Sequence, residues 1–147
     1  MKKIILIVSS ILLLAIIIVI GTVYYLTKRA IPTYSGQIKL NSLKADVEVY
    51  FDAYGVPHII AQYEEDLYRT AGYIVARERM WQMDLIRRAT QGNLSEIFGK
   101  DFVQTDLLLR ALNISANSEK FYNNLSQKQK EILEAYTDGI NQYIDQY

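Results

Sequence analysis

The rhythm of hydrophobic and polar positions changes along this chain, and each change predicts an element. From Ile4 to Leu26 (IILIVSSILLLAIIIVIGTVYYL) 23 residues pass without a charge. At 1.5 Å per residue such a helix is about 34 Å long, enough to cross a hydrocarbon core of about 30 Å. Between Gln37 and Ala61 the pattern reads as strand. Val47, Val49 and Phe51 alternate with Glu48, Tyr50 and Asp52, the period-2 mark of a half-buried strand. Asp52-Ala-Tyr-Gly55 carries turn chemistry, Gly55 supplying the positive φ of a tight hairpin, and Val56–Ala61 reads as the returning strand with Pro57 near its start. From Glu64 the period turns helical. Glu64, Glu65 and Asp66 set carboxylates against the positive helix end, and Leu67, Ala71, Ile74, Trp81 and Leu85 follow at helical spacing to Thr90. Tyr68, Tyr73, Met80, Met83 and Ile86 widen the apolar surface, so this helix is expected to be packed on several sides. Gln91-Gly92-Asn93 ends it. Short helices are predicted over 94–99 and 103–112. A last helix follows the N-cap Ser126, with Ile132, Leu133, Tyr136, Ile140, Tyr143 and Ile144 as its stripe. Tyr136, Tyr143 and Tyr147 are expected to face a partner surface that the chain itself does not supply.

The flanks of the first apolar run refine its meaning. Lys2–Lys3 and Lys28–Arg29 bracket it, and Tyr24–Tyr25 lie at an interfacial level. The rival reading is a cleaved signal peptide, whose apolar region is usually about 7–15 residues and ends in a small-x-small site. The longer run and the Tyr-Tyr-Leu-Thr-Lys-Arg that follows favour an uncleaved anchor. The expected organisation is a cytoplasmic n-region and anchor over 1–29 (span about 4–26), a linker over 30–36 broken by Pro32 and Gly36, and a soluble domain over 37–147. Flanking charge differs little across the span, and the expectation is a single-pass cell-membrane protein, amino terminus inside, with residues 30–147 extracytoplasmic.

Composition narrows the chemistry. The chain has 147 residues and formal net charge zero. The first 30 residues hold only Lys2, Lys3, Lys28 and Arg29, which leaves twelve basic against sixteen acidic side chains beyond them, an excess of four negative charges. No basic domain is left to neutralise phosphates, so nucleic acid is excluded as an expected partner. Without cysteine there is no disulfide, thiolate metal site or cysteine nucleophile.

His58 is the only imidazole, and no G-x-S-x-G elbow accompanies it, so it reads as a hydrogen-bonded core or hairpin histidine. Asp52 reads as a turn acceptor. Arg77, Arg79, Arg87 and Arg88 alternate with Glu78 and Asp84, a pattern of ion pairs with anion binding as the rival. The tyrosines read as core or interface rather than sugar platforms. Asn93-Leu-Ser95, Asn113-Ile-Ser115 and Asn124-Leu-Ser126 match the short glycosylation sequon. No metal-ligand spacing is present. Residue chemistry alone ends at a membrane-anchored α+β piece.

The order of the motifs goes further. Val47-Glu-Val-Tyr-Phe-Asp52-Ala-Tyr-Gly55-Val-Pro57-His58-Ile59-Ile-Ala61 resembles the opening of the penicillin acylase family. So do Asp66-Leu67, then Gly72-Tyr73-x-x-Ala76-x-x-Arg79-x-Trp81-Gln82-Met83, then Arg87-Arg88-x-x-x-Gly92-x-Leu94-x-Glu96-x-x-Gly99. Asp101-Phe102 with Asp106 and Arg110, and Ala135-Tyr-x-Asp138-Gly139-x-Asn141, continue it in register, so the resemblance spans roughly residues 36–147.

The resemblance implies an N-terminal-nucleophile hydrolase made as a precursor, a zymogen cut autocatalytically into a short α chain and a longer β chain. There the new β-chain amino-terminal serine attacks a linear amide, its own α-amine serving as base, through an acyl-enzyme. Typical substrates are acylated β-lactam antibiotics or acyl-homoserine lactones. The chain resembles only the first part of the α chain. The implied fold is α+β: a transmembrane helix, a β-hairpin and helices, an incomplete piece of an αββα fold. No catalytic, substrate-binding, cofactor-binding or metal residue is carried over. Asp52, Gly55, Pro57, His58, Arg79, Gln82, Arg87 and Arg88 match the motifs and read as scaffold. Gly21-Thr22 is the only Gly followed by Ser or Thr, and it lies inside the apolar run. This polypeptide alone is therefore expected to be inactive and to need no cofactor, calcium being an expectation for a full-length member. Its expected partners are membrane lipid, the rest of the α chain and the β chain. A small acylated amide would bind only the complete protein. The alternative is a non-catalytic membrane-tethered binding module.

Overall fold

The computed structural model describes residues 2–30 and 34–146; residues 31–33 of the expected linker, and Tyr147, lie outside the described residues. It forms two compact units, Met1–Gln37 and Ile38–Tyr147.

The first unit is one helix, α1 (Lys2–Ala30). Its stretch Leu6–Arg29 has a mean hydropathy of 3.0 with none of it buried, long and apolar enough to cross a membrane; a signal sequence meets the same description. The polar side chains within it turn back on the helix. The Ser9 hydroxyl donates to the Leu6 carbonyl at 2.9 Å and Thr22 to Ile18 at 2.8 Å, so neither needs water.

The second unit is helix-dominated and holds one two-stranded antiparallel sheet. Strands β1 (Glu48–Phe51) and β2 (Pro57–Ile60) pair with Tyr50 opposite His58 and Phe51 opposite Pro57. The expected hairpin is there, closed by an Asp52–Gly55 turn: the Gly55 N–H donates to the Asp52 carbonyl at 3.0 Å, with Gly55 at φ 75°. A left-handed residue at the end of a three-residue loop suits the twist of the strands. Val49, Phe51 and Ile59 are half-buried and Glu48 and Tyr50 exposed, as the alternation requires. The strand pattern expected to begin at Gln37 does not. Ile38–Asp46 is irregular, because its main chain bonds to side chains rather than to a neighbouring strand.

Helix α2 (Glu64–Gln91) is the spine. It stops where Gly92 takes the left-handed conformation at φ 66°; the Gly92 and Asn93 N–H groups donate to the Ala89 and Arg88 carbonyls, a Schellman ending. Arg79 interrupts it with φ −139° and ψ 24°. Before that kink Thr70, Gly72, Tyr73, Ile74 and Ala76 are buried; after it Trp81 is 57% and Ile86 65% exposed. Packing on several sides therefore describes only the first half.

Helix α3 (Ser95–Phe98), a 3-10 turn (Lys100–Phe102) and α4 (Val103–Ala111) occupy the predicted short helices. Helix α5 (Ile114–Asn123) was not expected: its sequence is short and mostly polar, and it starts from Asn113 in the left-handed region. Helix α6 (Gln127–Gln146) begins with a reciprocal box in which Ser126 N–H donates to Gln129 Oε1 at 2.9 Å and Gln129 N–H to Ser126 Oγ at 3.4 Å.

The core lies between α2 and α6, and its seam is made of small residues. Ala135 and Gly139 are the buried positions of α6. A Cβ on Gly72 would strike the Tyr136 carbonyl, and one on Gly139 the Arg69 carbonyl, so the two backbones approach where no side chain intervenes. Of the expected stripe, Leu133 and Ile144 are exposed. Tyr143 meets Tyr73 edge-on at 5.5 Å, and the Tyr73 hydroxyl donates to Gln146 Oε1 at 2.7 Å. Tyr143 thus packs inside the chain, which corrects its expected role toward a partner; Tyr147 is not described.

Candidate functional site

The motif residues gather in separate constellations. At the hairpin corner, Asp52 Oδ1 accepts the N–H groups of Tyr54 and Val56, both at 2.9 Å. Hydrogen bonding from Val56 outweighs partial burial and, with Tyr54 and His58, holds the Asp52 carboxyl below its ordinary range. His58 Nε2 lies 3.5 Å from Asp52 Oδ2, and its ring stacks on Tyr50 at 4.7 Å with planes 3° apart. His58 is a hairpin histidine, stacked on the outward face and not in the core. Gly55 sets the loop and Pro57 the start of the second strand.

A second constellation was missed by sequence reasoning. Asp66, expected simply to face the positive helix end, is completely buried. Its carboxylate accepts the Lys44 N–H at 3.0 Å and the Ala45 N–H at 3.0 Å, with Arg69 Nη1 at 3.6 Å. Arg69 in turn donates from Nε to Asp138 at 2.6 Å and from Nη1 to the Ser42 carbonyl at 3.0 Å. Gln142 of α6 accepts the Asn41 N–H at 2.7 Å and donates to the Asn41 carbonyl at 3.2 Å, and Lys44 pairs with Glu65. An Asp in a helix's first turn gave no signal of this, because its donors lie 21 and 22 residues upstream in an irregular segment.

The third constellation joins the end of α2 to α3 and α4. Asp84 accepts Arg87 Nη2 at 2.6 Å and Arg88 Nε at 2.7 Å, and Arg88 Nη1 reaches Glu96 at 2.7 Å. The Arg88 bond, then the Arg87 bond, lower the Asp84 carboxyl. Asp106, 4% exposed, accepts the Leu94 and Ser95 N–H groups, each at 2.8 Å, which satisfies the free donors at the start of α3. Burial pushes the Asp106 carboxyl up, but the bonds from Ser95 and Leu94 and the charge of Arg110 prevail and hold it low. Arg110 donates to the Gly92 carbonyl at 3.0 Å and Asn93 Oδ1 at 2.8 Å. The ion-pair reading of the helix arginines holds for Arg77 with Glu78 (2.8 Å), Arg87 and Arg88; Arg79 donates instead to Gln82 Oε1 at 3.1 Å beside the kink.

The charges of these constellations are spent on main-chain groups and on one another. Two open clefts line α6. One of about 400 Å³ lies among Ser42, Glu65, Arg69, Glu131, Glu134 and Asp138; the other, of about 480 Å³, adjoins Tyr122, Leu133, Thr137 and Asn141. Among the described residues no group of three or more His, Cys, Asp or Glu side chains could hold a metal ion.

The penicillin amidase family profile matches residues 46–147. The chain is 35% identical over 115 residues to penicillin acylase 2 proenzyme from Pseudomonas sp. (strain SE83), covering 78% of this chain and 15% of that protein. It is 38% identical over 101 residues to penicillin G acylase from Escherichia coli, covering 69% and 12%. It is 34% identical over 121 residues to the acyl-homoserine lactone acylase QuiP of Pseudomonas fluorescens, covering 82% and 15%. Among solved structures, a thermostable penicillin G acylase from Alcaligenes faecalis superposes with a TM-score of 0.61 at 36% identity, over 69% of this chain and 54% of that one. The chain spans no more than 15% of the length of these curated relatives.

Proposed function

The chain belongs to the penicillin amidase family, and on that footing we propose that it supplies the opening scaffold of an amide hydrolase whose chemistry resides in sequence it does not cover. One observation carries this reading: the stretch shared with the acylases is at most 15% of their length. The architecture agrees with it. Trp81, Ile86, Leu108 and Phe121 stand exposed at 57% to 69%, as expected of elements that a larger body would cover. Asp52 and His58 act as scaffold at the hairpin, Arg79 and Gln82 beside the kink of α2, and Arg87 and Arg88 near its end. In the complete protein the reaction would be hydrolysis of a linear amide through an acyl-enzyme on an N-terminal nucleophile, within an αββα fold. The substrate would be a small acylated amide of the β-lactam or homoserine-lactone type.

The same proposal takes α1 as a single-pass anchor with the following unit outside the cell. Cleavage of that unit by protease added to intact cells is the expected result, and full protection would refute the orientation. The functional test is turnover of a chromogenic phenylacetyl amide by the purified chain. No hydrolysis above the buffer rate is expected. Turnover by this chain alone overturns the proposal.

A further inference from the structure

Helix α2 bends at Arg79 although nothing in its local sequence asks for a bend. Between Gly72 and Gly92 there is no Gly, Pro or Ser, the residues at which sharp kinks commonly form. Ala76, Arg77, Glu78, Arg79 and Met80 are all strong helix formers. Yet Arg79 sits at φ −139° and ψ 24°, outside the helical region. The cause must therefore lie in side-chain contacts, and the two residues before the bend supply them. Successive residues on a helix point about 100° apart and do not face each other. Arg77 and Glu78 meet nonetheless: Arg77 Nε donates to Glu78 Oε1 at 3.0 Å, with Nη2 2.8 Å from the same acid. The Arg77 guanidinium also lies 5.2 Å from the centre of the Phe51 ring, within cation–π range. The Arg77 side chain is 14% exposed and that of Glu78 29%, so the pair is shielded from much of the screening that weakens surface ion pairs. On the far side of the bend Arg79 Nη1 donates to Gln82 Oε1 at 3.1 Å.

We propose that Arg77 is a latch: held by Glu78 on its own helix and by Phe51 of the hairpin, it keeps α2 bent and sets the direction of the second half. Different contacts hold the two halves. Before the bend, Arg69 bonds Asp138, Gly72 lies against the Tyr136 carbonyl and Tyr73 meets Tyr143, all on α6. After it, Asp106 and Arg110 of α4 hold Gly92–Ser95, and the Ser115 hydroxyl donates to the Thr90 carbonyl at 3.3 Å. The second half of α2 therefore turns together with α3 and α4 when the bend changes, carrying exposed Trp81 and Ile86 with it. From Arg79 to Gln91 the arm is about 18 Å long, and a sharp kink exceeds about 20°, so straightening moves its tip by about 6 Å. Arg77 is thus a positioning residue for the apolar surface beyond the bend. The latch rests on contacts within the chain and is independent of the acylase reading.

The chain has no cysteine, so introduced pairs take spin labels without background. Labels at exposed Gln91 and at either end of α6, Gln127 or Asp145, locate the arm in the full chain in detergent micelles. The Arg79 Cα chemical shift reports the bend at the residue itself. Glu78→Ala removes one holder and favours helix; Arg77→Met removes the guanidinium while keeping an apolar stem in its place. Either variant should move at least one label distance by about 4–6 Å and bring the Arg79 shift into the helical range. Arg87→Ala, which removes an ion pair of the same helix beyond the bend, should change neither reading. Readings unchanged in both the Arg77 and Glu78 variants, the same change in Arg87→Ala, or a helical Arg79 shift in the unmodified chain overturns the proposal.

Discussion

The seam between α2 and α6 yields a prediction whose sign is not obvious. In an isolated helix, replacing Gly by Ala stabilises by about 0.8–1 kcal/mol, so Gly72→Ala and Gly139→Ala should both help if each helix stood alone. At these positions a new methyl group meets main chain from the partner helix: the Tyr136 carbonyl at Gly72 and the Arg69 carbonyl at Gly139. A carbonyl within a helix cannot rotate aside as a side-chain end can, so the helices must move apart. Separation loosens Ala135, Ile74 and the Tyr73–Tyr143 contact, which hold most of this unit's small core. Overpacking of a well-fitted core costs about 1–3 kcal/mol, and contact with rigid backbone puts these sites at the upper end. The helix-propensity gain offsets part of that, so each variant should be less stable by about 1–2 kcal/mol. The two residues press on one seam from opposite sides, so the double variant should lose less than the sum. Urea unfolding of the full chain in micelles, followed by circular dichroism, measures this. A Gly72→Ala or Gly139→Ala chain as stable as the unmodified one, or more so, refutes the backbone-contact reasoning.

Two further predictions concern the ends of the helices. Asp106 is held below its ordinary range, so it stabilises the fold above the unfolded carboxylate value of about 3.9 and that contribution is lost as pH falls through the lower folded value. Stability of the unmodified chain should therefore drop on acidification below about pH 4, and Asp106→Asn should flatten that drop while weakening the chain at neutral pH; parallel pH profiles would count against the cap. At Gly92, alanine would have to hold φ 66° with its Cβ 2.7 Å from the Asp106 carbonyl oxygen. Gly92→Ala should cost about 1–3 kcal/mol by the same unfolding assay, and an unchanged midpoint would contradict the Schellman ending.

Much of the architecture was readable in local pattern. An uncharged run, a period-2 alternation ending in Asp-x-x-Gly, a helical period with Gly92 after it and a Ser-x-x-Gln box each name an element, because each depends on neighbours within about five residues. The ordered motifs also named the family. What local pattern left open were contacts between distant stretches. Asp66 reads as one of three first-turn carboxylates, yet it alone is buried, because the segment carrying Lys44 and Ala45 folds back over it. Tyr143 reads as a face awaiting a partner, yet Tyr73 lies against it. The second half of α2 leaves Trp81 and Ile86 exposed, although both sit in the helical apolar pattern. The sequence by itself determined the long helices, the hairpin turn and the apolar span, since backbone propensity and periodicity are properties of short stretches. Only the tertiary structure decided which polar groups are buried and how closely α2 and α6 approach. Those outcomes depend on desolvation and shape fit between residues far apart in the chain.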